Sequence, residues 1–363
     1  MAIAGSTRMQ ATTFQQLVAG CAIEMTLKAI IHTRISENEM SGFDCHLKEP
    51  FGYAIEFGKL VSQLRSKVNI NALAKYVEFE QDLYQRNGLI TYLANDYLLD
   101  ILTDTTERAP TFMLPSFKKK DDKISPPSWA FVKNPLLPTK DAWFALFRRY
   151  PKGLQWSREL YEKMNAPQTI CDHPPGLDNE EIYKYDIGNE ENESRWAFSE
   201  NAAVMVLVGE EVADCTADKS AFKLAAEKYL HEKYKRKAML TIGASRPTPD
   251  PEYVEFHIGC DVPRSLIDLW DHLAVKLVLN TVSTATMARM GRVYGNWMVY
   301  AETTNKKLID RSVRLIQHFT NVSYQQACEE LFKTFEELTI NKDLKSNPVP
   351  PTVMTLERIN KNK

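Results

Sequence analysis

Two places in the chain carry residue types and spacing that suit an anion. Near the front, Ser6, Thr7 and Arg8 stand in AGSTRMQATT (residues 4–13), directly before an apolar run with helical periodicity. At a helix start the backbone N–H groups point outward, so two hydroxyls and a guanidinium added there can share the oxygens of a phosphate. The same geometry caps a helix without any ligand, an effect worth ~1 kcal/mol, and the residue types alone do not separate the two roles. The second place is Lys276, which interrupts an apolar helical pattern. A cation there must either reach along the apolar surface to solvent or meet an anion.

Other chemistry is thin. No G-x-S-x-G elbow, H-E-x-x-H helix, Walker loop or G-x-G-x-x-G fingerprint occurs. Cys21, Cys45, Cys171, Cys215, Cys260 and Cys328 are scattered singly with no CxxC pair, which indicates reduced thiols and no zinc knuckle. The neighbours Cys45 and His46, and Cys171 and His173, lack the third or fourth convergent ligand that a metal site needs. The sequence therefore assigns no catalytic residue, no metal ligand and no cofactor.

The elements that would position these residues follow from hydrophobic periodicity. With 363 residues and 44% hydrophobic content the chain can bury a sizeable core, and its formal charge of -2 gives no bulk attraction to nucleic acid or to an anionic membrane. Phe14, Leu17, Val18, Cys21, Ala22 and Met25 share one helical face. LVAGC (residues 17–21) resembles an export-signal cleavage box, but Thr12, Thr13, Gln15 and Gln16 stand where the apolar region should be. A helical pattern runs from Ile55 to about Gln85 and ends at the turn pair Asn87-Gly88. LITYL (89–93) then enters a helix, and the continuous apolar run AAVMVLV (202–208) leads through a helix at 221–234 into AMLTIG (238–243). Strand, helix, strand in that order predicts a parallel sheet with right-handed crossovers. Two charged, proline-containing stretches, 117–128 and 173–194, are expected as surface loops. A long helix is predicted over 265–298 and two more over 305–335 with a turn near Asn321.

Three stretches carry a resemblance to a known family. GSTRM, KLVLNTVSTATMARMGRVYGNWMV and TNKKLIDRSVRLIQ resemble the family of N-acetylmuramic acid 6-phosphate etherases and glucokinase regulatory proteins, which are built from sugar isomerase (SIS) domains. The match is specific over 4–13 and 273–335 and architectural between them. It implies an α/β fold, an SIS-type doubly wound parallel sheet flanked by helices, with a helical C-terminal extension. It also implies four parts: residues 1–50 as the terminal helix remnant of a first SIS domain, 51–300 as a second, degenerate one, 301–345 as a C-terminal helical segment and 346–363 as a flexible tail. Ser6, Thr7, Arg8 and Lys276 would bind a phosphorylated hexose. The function implied is regulatory, with a hexokinase-type enzyme as protein partner and neither nucleic acid nor membrane involved, in the cytoplasm or also the nucleus. The alternatives are an etherase-like carbon–oxygen lyase, whose catalytic carboxylates belong to a part that precedes GSTRM in the family, and a scaffold that binds no ligand.

The chain departs from the family pattern at Gln10, where a lysine is usual, and at Thr12, where a glycine is usual. The loops after the strands also depart from a phosphate cradle. LITYL is followed by ANDYLL and VMVLV by GEEVAD, so bulky Tyr97 and acidic Glu210, Glu211 and Asp214 oppose a phosphate and Gly209 alone suits one. In STATMARMGRVYGN (283–296), Met287, Met290 and Tyr294 are expected in the core, Gly291 and Gly295 to allow close helix approach, and Arg289 and Arg292 to be solvated. Asn305 is expected to cap the next helix.

Overall fold

The computed structural model describes residues 16–27, 50–151, 153, 156–174, 179–197, 200–216, 220–230, 233–340 and 349–361. Its centre is a sheet of five parallel strands, β1 (Leu89–Leu93), β2 (Ala130–Lys133), β3 (Asn201–Val208), β4 (Arg236–Gly243) and β5 (Val254–Gly259), in the order β2-β1-β3-β4-β5. All eight residues of β3 are buried, as its unbroken apolar run requires of a strand covered on both faces. The even-numbered residues Ala202, Val204, Val206 and Val208 face one core and Ala203, Met205 and Leu207 the other.

The larger core lies under four long helices. These are α1 (16–27), α2 (Pro50–Leu64), α3 (Lys67–Gln85) and α4 (Leu98–Phe112). The opposite face is covered by α5 (Glu210–Thr216) and α6 (Ala221–Leu230). Another long helix, α7 (Leu269–Arg289), completes the larger layer and is buried nearly all round; its Trp270 is fully enclosed and stacked on Tyr53 at 5.9 Å. The chain is thus an α/β protein with a doubly wound parallel sheet between helices. α8 (Lys306–Thr320), α9 (Tyr324–Ile340) and α10 (Pro351–Lys361) form a helical C-terminal extension with its own small core of Val313, Ile316, Ala327 and Leu331.

One polar network pins the helices to the sheet. Arg108 on α4 is 3% exposed; it donates to Asp104 at 2.9 Å, to Glu80 on α3 at 3.3 Å and to the Tyr92 hydroxyl on β1 at 3.2 Å. Ser283 and Thr286 on α7 donate to Asp104 and Glu80 at 3.3 and 3.4 Å. The charges are paired, and together they set how α3, α4, α7 and β1 meet.

Several expectations are corrected. β2 and β5 lie in short segments with no helix-length pattern, which the sequence reading left unassigned. The expected flexible tail over 346–363 contains α10, held by Thr352 on Ser312 at 2.8 Å, Thr355 on Thr334 at 2.8 Å and Arg358 on Glu330 at 3.0 Å. The acidic stretch 173–194 is not a free loop: Ile187 is fully buried and Asp186 accepts from the buried Lys133 at 2.8 Å. Gly291 and Gly295 take left-handed φ values of 78° and 56° with open space where a Cβ would sit, so turn conformation and not helix approach requires them. Tyr294 is 64% exposed, whereas Met287 is in the core as expected. Arg292 is half-buried, donating to the Phe112 carbonyl at 2.6 Å over the Trp129 ring. Asn305 caps α8, accepting from Leu308 N–H.

Because Arg108 is the cation paired with the buried Glu80 and Asp104, Arg108→Met is expected to destabilise the chain by about 3–5 kcal/mol. Urea unfolding followed by circular dichroism measures this, and a loss below about 1 kcal/mol would show that the network does not pin the layers.

Candidate functional site

In a sheet ordered β2-β1-β3-β4-β5 the winding reverses between β1 and β3, and a crevice opens beyond the carboxyl ends of those strands. A cleft of about 440 Å³ lies there. Its floor is set by glycines: Gly209 turns the chain out of β3 at φ 57°, and a Cβ on Gly243 would come within 3.3 Å of the Gly209 backbone. Its walls carry Asp96, Glu210, Glu211, Asp214, Asp261, Asp268 and Asp271 against one arginine, Arg264. This excess of acidic over basic side chains is unfavourable to a phosphate dianion.

Glu211 ties the two strands at the reversal, accepting from Asp96 N–H at 3.2 Å and from Val208 N–H at 3.1 Å. Burial, helped by the Asp96 and Asp214 charges, pushes its carboxyl up to about 7. Burial and the neighbouring Asp268 and Glu210 push Asp271 up to about 6, against the opposing pull of His272. Burial acts against the protonated form of His272, but Asp100 at 2.6 Å outweighs it and raises the ring above its usual range.

Lys276 lies farther along α7, about 8 Å beyond Asp271 at the helical rise, and does not line the cleft. Its side chain is 5% exposed, and among the described residues its ammonium has one partner, Glu107 on α4, at 3.4 Å. Glu107 itself is 47% exposed. One turn on, Asn280 is 4% exposed, and neither its Oδ1 nor its Nδ2 has a hydrogen-bond partner among the described residues. Residues four apart on a helix share a face with Cβ atoms about 5–6 Å apart, so the two residues are neighbours along one face of α7. α1 packs along the start of the same helix: Glu24 accepts from Leu266 N–H at 2.9 Å and the Leu269 side chain fills the space beside Gly20. That pairing is antiparallel and directs the N-terminal end of α1 along α7 toward Lys276.

Of the sequence-assigned site residues, Lys276 is thus buried and poorly paired, while Ser6, Thr7 and Arg8 lie outside the described residues. Sequence reasoning missed Asn280, although a carboxamide four residues after a lysine in an apolar helix was the available signal. Cys45 and His46 also lie outside the described residues, Cys171 is buried and His173 exposed. Among the described residues no group of three His, Cys, Asp or Glu side chains is placed to hold a metal ion, and no helix is long and apolar enough to cross a membrane.

The raised carboxyls make a sign-specific prediction. A carboxyl whose folded pKa exceeds its unfolded value favours folding only while protonated, so its contribution is lost as pH rises. Glu211 acts between its ordinary 4.5 and about 7, and Asp271 between 3.8 and about 6. The midpoint of thermal unfolding is expected to fall with rising pH across that window, and Glu211→Gln is expected to flatten the slope and stabilise the chain at pH 8. An unchanged slope in the variant would contradict the burial of that carboxyl.

The chain matches parts of curated proteins. It is 42% identical over 84 residues to the N-acetylmuramic acid 6-phosphate etherase of Staphylococcus saprophyticus, covering 23% of this chain and 28% of that protein. It is 53% identical over 58 residues to the same enzyme of Clostridium acetobutylicum, covering 16% and 19%, and 45% identical over 74 residues to that of Staphylococcus aureus, covering 20% and 25%. A phosphoheptose isomerase structure from Francisella tularensis aligns with a TM-score of 0.32 and 9% identity over 64% of this chain and 94% of that one. No protein-family profile matches. The chain spans about a quarter of the length of the curated relatives it matches, and that shared part makes it a partial homologue of the N-acetylmuramic acid 6-phosphate etherases.

Proposed function

We propose that this chain binds a phosphorylated hexose and acts as a regulatory protein of the glucokinase-regulator type, holding or releasing a hexokinase-type partner. The observation that carries the reading is Lys276, a buried ammonium whose one polar partner among the described residues is a half-exposed carboxylate at 3.4 Å. A cation so placed gains from a dianionic ligand far more than an exposed lysine would. In this reading Ser6, Thr7 and Arg8 supply hydroxyls and a guanidinium to the same phosphate, residues 51–300 form an SIS-type domain, and the work is done in the cytoplasm. Partial relatives named for a sugar 6-phosphate support the ligand class. Control of a partner then requires that the ligand favour one of two conformations, since equal affinity for both would shift nothing.

The similarity to etherases favours a second reading, a lyase acting on N-acetylmuramic acid 6-phosphate. Such a reaction needs a positioned acid and base. Glu211, raised to about 7, is the described carboxyl best matched to such a role, but its acidic cleft disfavours the phosphorylated substrate.

Titration calorimetry with fructose 6-phosphate, fructose 1-phosphate and N-acetylmuramic acid 6-phosphate separates these readings. At least one fructose phosphate is expected to bind, and Lys276→Met to weaken it about tenfold or more. Release of lactate from N-acetylmuramic acid 6-phosphate would favour the lyase, and no binding of any of the three would overturn the proposal.

A further inference from the structure

We infer that Asn280 reads the hydroxyl groups of the ligand whose phosphate Lys276 holds. The inference rests on the hexose-phosphate reading and deepens it, because it names the residue that distinguishes a sugar phosphate from phosphate alone. Asn280 is buried in α7, and both ends of its carboxamide lack a partner among the described residues. Burying a hydrogen-bonding group unpaired is unfavourable, and an amide with an orphaned donor and an orphaned acceptor incurs that cost twice.

The pattern of the orphaned atoms identifies the missing chemistry. A phosphate dianion offers acceptors only, so it would satisfy Nδ2 and leave Oδ1 unpaired. A hydroxyl both donates and accepts, so neighbouring hydroxyls of a polyol satisfy both ends of the amide together. Lys276, one turn earlier on the same face, supplies the charge that a carboxamide lacks, and its ammonium carries three donors of which Glu107 engages one. A ligand with an anionic group and a hydroxylated body matches the two residue types that share this face of α7. Glu107 is the internal anion that such a ligand displaces, and its exposed position lets it move aside into water.

The test compares fructose 6-phosphate, methyl phosphate and inorganic phosphate on the full chain by calorimetry. The wild type is expected to prefer fructose 6-phosphate over methyl phosphate by about tenfold or more. Asn280→Leu and Asn280→Ala are expected to lose that preference while binding methyl phosphate within about twofold of wild type, a split that a purely structural role would not produce. Thermal melting of the ligand-free variants verifies folding, and Asn280→Leu is expected to melt no lower than wild type, because it removes an unpaired amide. Variants that keep the preference overturn the assignment of Asn280 and leave the proposed function standing. A wild type that binds methyl phosphate and fructose 6-phosphate equally well, or that binds none of the three probes, overturns this inference also; the proposed function falls with it only where fructose 1-phosphate fails to bind as well.

Discussion

A helix enclosed on nearly every side carries an ammonium and a carboxamide that the surrounding protein leaves under-satisfied, and the functional account depends on that imbalance. α7 touches α1, α2, α3, α4 and the sheet, so its side chains have little route to water. Farther along the same helix, Ser283 and Thr286 join a network in which Arg108, Glu80, Asp104 and Tyr92 satisfy one another. The fold can therefore pair buried polar groups on this helix when pairing serves structure. Lys276 and Asn280 are not paired in that way, and a buried polar group with spare capacity is where a ligand has most to contribute.

The crevice where doubly wound sheets usually bind ligands has a different character. Its carboxylates crowd one another until burial and mutual repulsion lift Glu211 to about 7 and Asp271 to about 6. A site of that sign repels phosphate, while the cation on α7 attracts it. The proposed function therefore puts its ligand against the helix seam rather than at the strand ends. The sheet's part is to hold α4 and α7 side by side, so that Glu107 reaches Lys276.

Much of the architecture was legible because the central strands announce themselves. AAVMVLV must be buried on both faces, and its alternation with helical periods leaves a parallel sheet as the natural result. The edge strands AFVK and VEFHIG were not legible, since a short strand without a continuous apolar run looks like loop. The tail proline cluster suggested an end to order, but Pro351 instead opens a helix, a position where a missing N–H has no consequence. At the site, Lys276 stood out as a charge in an apolar period. Asn280 did not, because a single asparagine in a helix is ordinary until its burial and empty hydrogen-bonding capacity are seen. Arg292 likewise read as solvated because its carbonyl partners, Phe112 and Met113, lie far away in sequence.

The most direct measurement is a crystal structure of the full chain grown with fructose 6-phosphate. The account predicts density against α7, with the phosphate on Lys276, Glu107 withdrawn from it, and sugar hydroxyls on the Asn280 amide. Density in the acidic crevice between Asp96 and Asp271, with Lys276 still on Glu107, would contradict it.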